Sequence, residues 1–148
     1  MCNLKLLIMK KFKKLLALSF CLVVSTALFS CSKDDDNDSG NADEAAATRM
    51  VGTYKGTLDN FSTEYYNATI IVTKESGNKV KIAPKSGEAY SGATSKIVVV
   101  QAIPTTDNAV SQDPNATIAY DHVQKTITLI TKKTAADDVI FHFEGTKQ

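Results

Sequence analysis

Tryptophan is missing from this chain, and its 148 residues hold only three prolines and three cysteines. The cysteines are Cys2, Cys21 and Cys31, so everything after Cys31 is free of thiols. A disulfide framework and a thiolate zinc site are thereby excluded from the rest of the chain. His122 and His142 are the only histidines, too few for a structural zinc site of about four ligands. No nucleophile elbow occurs. Gly52 and Gly56 lack the strand-to-helix context of a phosphate loop, and Asp34 to Asp36 lack the glycine and glutamate spacing of a calcium loop. Asp137-Asp138 reads as a turn leading into a strand rather than an acid/base pair. These absences argue against an enzyme and against a bound cofactor or metal. There is also no internal repeat, no long amphipathic helix and no basic footprint for nucleic acid.

What is present begins at the N-terminus. Lys5, Lys10, Lys11, Lys13 and Lys14 form a positive region, followed by an apolar run from Leu15 to Phe29. That run is too short and wrongly flanked for an ordinary spanning helix. Met9 places the charges at the very start and suits a signal better than Met1. Leu28-Phe29-Ser30 directly before Cys31 resembles a bacterial lipobox. The resemblance implies that residues 1–30 are a signal peptide, cut to leave Cys31 as the first residue with lipid on its sulfur. At about 0.8 kcal/mol per buried methylene, two or three acyl chains hold a protein on a membrane where one would not.

Removing the signal changes the charge. The formal net charge of +1 loses five lysines and no acid, leaving 12 basic against 16 acidic groups. The excess lies in residues 31–47, which read as an acidic flexible tether. Ser32 to about Gly40 is nearly devoid of apolar side chains and cannot offset chain entropy. Cys31-Ser32-Lys33-Asp34-Asp35-Asp36 resembles the acidic export signal of surface lipoproteins of Bacteroidota. That likeness implies an outer-membrane location on the cell surface, with Asp34, Asp35 and Asp36 as the signal. The plainer reading is a solvated spacer. Across the end of this stretch Asn41 to Met50 predicts a short helix, with Asn41 and Glu44 as a capping box.

Residues 48–148 are enough for one modest core. Short alternating segments separated by turn residues predict an all-β domain of seven or eight strands. Tyr54 and Leu58, then Tyr66, Ala68, Ile70 and Val72, then Val139, Phe141 and Phe143 fall on inward faces. Ile97 to Val100 is apolar on both sides and predicts a strand covered on both. Pro104 to Pro114 reads as the longest loop. An up-and-down barrel or a β-sandwich satisfies the pattern; in a barrel the first and last strands would pair.

Gly52-Thr53-Tyr54 after a short helix resembles the Gly-X-Trp opening of lipocalins and other calycins. Val51 to Leu58 also resembles the opening of small lipocalin-like lipoproteins of Bacteroidota. The likeness implies an eight-stranded barrel, with Tyr54 in the place of the tryptophan and Lys147 in that of the basic residue that packs on it. Such a barrel is filled by side chains or holds one small ligand, and the inward Tyr, Phe and Ile favour filling. Phe61, Tyr65 and Tyr66 form the one aromatic cluster near a predicted turn and are the candidate binding surface. The competing reading puts Tyr66 in the core and Phe61 across one barrel end. The function expected is a lipid-anchored surface binding module for a small hydrophobic ligand or a protein. Alternatives are an inhibitor or host-interaction factor using the 104–114 loop, and an accessory subunit of an outer-membrane complex.

Overall fold

A computed structural model describes residues 39–148. Cys31, Asp34, Asp35, Asp36 and the signal lie outside the described residues. One helix, α1 (Ser39–Met50), precedes nine strands: β1 (Gly52–Asp59), β2 (Glu64–Ser76), β3 (Lys79–Pro84), β4 (Lys96–Val99), β5 (Gln101–Ala102), β6 (Ala109–Gln112), β7 (Ala116–Asp121), β8 (Thr126–Thr131) and β9 (His142–Lys147). β-Branched residues dominate β8 and the middle of β2, Thr69 to Thr73, where side chains pack on a pleated, half-buried surface.

The strands form one antiparallel sheet in the order β4-β3-β2-β1-β9-β8-β7-β6-β5. The first strand pairs with the last, Leu58 opposite Phe143 and Tyr54 opposite Lys147. The sheet therefore curls into a nearly closed up-and-down barrel, and the sandwich alternative falls. Gly56 lies opposite Gly145 in this pairing. A Cβ on Gly56 would run into the Glu144 carbonyl and sit 2.5 Å from the Gly145 Cα. Two glycines thus let the first and last strands approach.

The two edges of the sheet, β4 and β5, flank Val100 and are halves of one bent strand. Asn78 holds the bend: its carbonyl accepts the Val100 N–H at 2.9 Å, and its side-chain amide donates to the Val100 carbonyl at 3.0 Å. Side chains seal both edges, which would otherwise invite strand pairing. Asp113 accepts the Val99 N–H, Asn115 donates to the Ile97 carbonyl, and Asp43 of α1 accepts the Ala102 N–H at 2.7 Å.

The inward face holds Tyr54, Leu58, Ile70, Val72, Val80, Ile82, Val98, Ile118, Ile127, Leu129 and Phe143, each at most 2% exposed. Burying such a side chain contributes about 1.5–3 kcal/mol. At one end α1 presses Ala46, Ala47 and Met50, all fully buried, onto the barrel. Residues 39–47, read from the sequence as part of a flexible tether, lie in this helix. Asn41 falls inside that helix instead of at its cap.

Three further expectations are corrected. Ala109 to Gln112, inside the expected long loop, is β6, with Ala109 and Ser111 buried. Ile97 is 45% exposed, because a single curled sheet has no second layer over its outer face. Val139 is exposed because it precedes β9, in a segment tied to Thr94 by two hydrogen bonds.

Candidate functional site

The barrel has two differently built ends. At the helix end, the last carbonyls of α1 lack partners within the helix and need them elsewhere. Tyr54 donates its hydroxyl to Met50 O at 2.7 Å. Tyr120 donates to Arg49 O at 3.3 Å, and Lys147 Nζ donates to the same oxygen at 2.9 Å. The Tyr54 and Tyr120 rings meet edge to face at 6.4 Å. Burial pushes the Tyr54 phenol far above its ordinary value, and burial also lowers the Lys147 ammonium. These groups close that end with side chains. In the turn beyond it, His122 Nδ1 is buried without a hydrogen-bond partner.

At the opposite end, the loop of residues 85–95 folds Tyr90 and Ala93 under the barrel. Lys96 points inward there and is only 6% exposed. It donates to Asp138 Oδ2 and to Thr134 Oγ1 at 2.7 Å. The same Asp138 oxygen accepts the backbone N–H groups of Thr134 and Ala135. The Lys96 hydrogen bond, then those N–H groups, hold the Asp138 carboxyl well below its ordinary value. Asp138 is therefore a structural turn group, tying the β8–β9 loop to β4.

The β1–β2 turn projects from this second end. Asp59 Oδ1 accepts the Phe61 N–H at 2.7 Å, and Asn60 Oδ1 accepts those of Ser62 and Thr63. Phe61 is held at φ 65° with 61% of its surface exposed. A bulky residue at positive φ is strained by order of 1–3 kcal/mol.

A β-bulge follows. Gly56 faces Ala68 and Leu58 faces Tyr65, so Tyr66 and Asn67 together stand opposite Thr57. Asn67 takes φ 57°. The extra residue reverses the parity of β2. Tyr65 turns toward the core, its ring 5.5 Å from that of Tyr90. Tyr66, expected inward, turns out and is 70% exposed. Its hydroxyl donates to Glu64 Oε2 at 2.6 Å, and the Glu64 carboxylate raises the Tyr66 phenol. The three candidate aromatics are thus divided: Phe61 and Tyr66 are displayed, and Tyr65 is packing.

Beside the displayed pair lies a groove of about 200 Å³ on the outer face, lined by Thr57, Asp59, Glu64, His142 and Glu144. Three carboxylates and one imidazole line it, with no lysine or arginine. His142 Nε2 lies 3.3 Å from Glu144 Oε1. Asp59, Glu64 and Glu144 went unnoticed in the sequence because they sit on three strands. Outward parity together with β1–β9 pairing would have found them. A second groove of about 330 Å³ follows the seam, lined by Val99, Gln101, Gln112, Asp113 and Pro114. Among the described residues, no three of His, Cys, Asp and Glu stand where they could hold a metal ion, and no helix is long and apolar enough to cross a membrane.

Comparison with protein-family models, curated proteins and solved structures finds no match. The reading of this site therefore rests on its own geometry.

Proposed function

We propose that this chain is a lipid-anchored binding module of the cell surface, a lipocalin-like barrel that contacts a protein partner through its β1–β2 end. One observation carries the choice of surface. Two aromatic rings, Phe61 and Tyr66, are left in solvent, and Phe61, a bulky residue, is held at positive φ, as Thr105 and Lys125 are elsewhere in the barrel. Strain of this kind persists only where the surrounding structure over-determines it, and it clusters at working sites. Aromatic rings contribute large contact area at low entropy cost. The reading as a carrier of a small hydrophobic ligand has less support, because side chains occupy the barrel interior. The reading as a loop inhibitor has less too, because residues 109–112 are a paired strand.

The anchor and the address rest on the lipobox at Cys31 and on Asp34, Asp35 and Asp36. Intact mass and protease shaving of whole cells test both. Wild type should carry acyl mass on Cys31 and be shaved; Cys31→Ser should lose both the lipid and the membrane. With Asp34, Asp35 and Asp36 replaced by Ala, the protein should stay lipidated and resist shaving. A wild-type mass without lipid refutes the anchor, and equal shaving of the triple variant refutes the export signal.

A further inference from the structure

We infer that the Phe61–Tyr66 surface takes an arginine-bearing segment of a partner protein. This deepens the proposed function and rests on its reading of the β1–β2 end as a contact surface. The argument is charge complementarity. The exposed rings of Phe61 and Tyr66 are an unpartnered apolar feature, and the groove beside them is lined by Asp59, Glu64 and Glu144, with His142 beside Glu144 and no lysine or arginine. The pairing register shows how these carboxylates gather. Asp59 lies opposite both Glu64 of β2 and His142 of β9, and Thr57 lies opposite Glu144. Like charges on adjacent strands repel, so a cation arriving between them removes a repulsion as well as adding an attraction.

Guanidinium fits both halves of the surface. Its planar face stacks on an aromatic ring, and its edge donates two parallel hydrogen bonds to a carboxylate. Glu64 uses Oε2 for the Tyr66 hydroxyl, which leaves Oε1 for such a donor. An ammonium offers the charge without the flat face, and an anionic or neutral segment would leave Asp59 and Glu64 without a cation.

The test titrates full-length protein in detergent with a labelled pentapeptide, acetyl-Gly-Arg-Gly-Arg-Gly-amide, read by fluorescence anisotropy. Its twin carries citrulline at both arginine positions, keeping shape and losing charge. The arginine peptide should bind saturably and the citrulline twin should not. The E64Q/E144Q protein should bind about tenfold more weakly, as expected from losing two exposed ion pairs and their shared field. Tyr66→Ser should weaken binding by several-fold. Thermal midpoints of both variants should match wild type, since Glu64, Tyr66 and Glu144 are all exposed. Equal affinity for the two peptides, no saturable binding, or unchanged affinity in E64Q/E144Q each overturns the inference. A photo-cross-linker at position 61 in cells separates this failure from that of the surface reading. Adducts that survive E64Q/E144Q refute the basic partner and leave the contact surface standing; no adduct at all refutes both.

Discussion

Lys147 Nζ donates to the Arg49 carbonyl oxygen at 2.9 Å, across 98 residues of chain. The last strand is thereby fastened to the last turn of the helix that blocks one barrel end. Tyr120 shares that acceptor, so one carbonyl gathers α1, β7 and β9.

This relationship makes Lys147→Met informative, because the stem is kept and the donor is lost. A hydrogen bond from a charged donor contributes about 1.5–3 kcal/mol. Lys147 is partly exposed, so the lower part of that range is expected, seen as a reduced urea midpoint with an unchanged slope. A midpoint equal to wild type would mean water replaces the ammonium without loss.

The register of β9 and the residue before it can be tested at neighbouring positions. Phe141 is fully buried, whereas the His142 side chain is 35% exposed on the outer face. Phe141→Ala should cost about 3–5 kcal/mol, a large part of the stability of a domain this small. His142→Ala should cost under about 1 kcal/mol. Chemical denaturation of the two variants checks this, and the reverse ranking would place β9 one residue out of register.

Acid should loosen the second barrel end. The Asp138 carboxyl is held below its ordinary value near 3.8 by Lys96 and by two backbone N–H groups. A depressed carboxyl contributes stability that is full above the unfolded-state value and is lost as pH falls through and below it. Stability should therefore be flat near neutrality with respect to this group and decline below about pH 4. Asp138→Asn should remove much of that decline and lower stability near pH 7. Thermal melts between pH 7 and pH 2.5 measure both, and parallel curves for variant and wild type would contradict the assignment.

Much of this architecture is legible from residue order, for a physical reason. Where large apolar groups alternate, as in Ile118-Ala119-Tyr120 and Ile127-Thr128-Leu129, burial of one face decides both the strand and its orientation. Tyr54 and Phe141 were readable in this way. The signal failed where inward positions carry small or polar residues. Ala109 and Ser111 give β6 no apolar stripe, although both are buried. Ile97 looked like a residue covered on both sides because hydrophobicity alone does not tell a single curled sheet from two stacked ones. Tyr66 was misplaced by one extra residue at the bulge, which period-two counting cannot see. Lys96 gave no hint of burial, since its partner Asp138 lies 42 residues away. The displayed aromatics were visible as a cluster, while the carboxylates beside them came together only through barrel closure.

The central claim is that the β1–β2 end, with Phe61 and Tyr66, is the working surface. Val123 is a demanding control: it is 87% exposed and sits in the β7–β8 turn, at the other end of the barrel. A photo-cross-linking phenylalanine analogue placed at Phe61, Tyr66 or Val123 in living cells, followed by gel analysis after irradiation, compares the ends directly. The account predicts one discrete adduct shared by positions 61 and 66, and none at 123. Adducts of equal yield at all three positions, or at 123 alone, would contradict it.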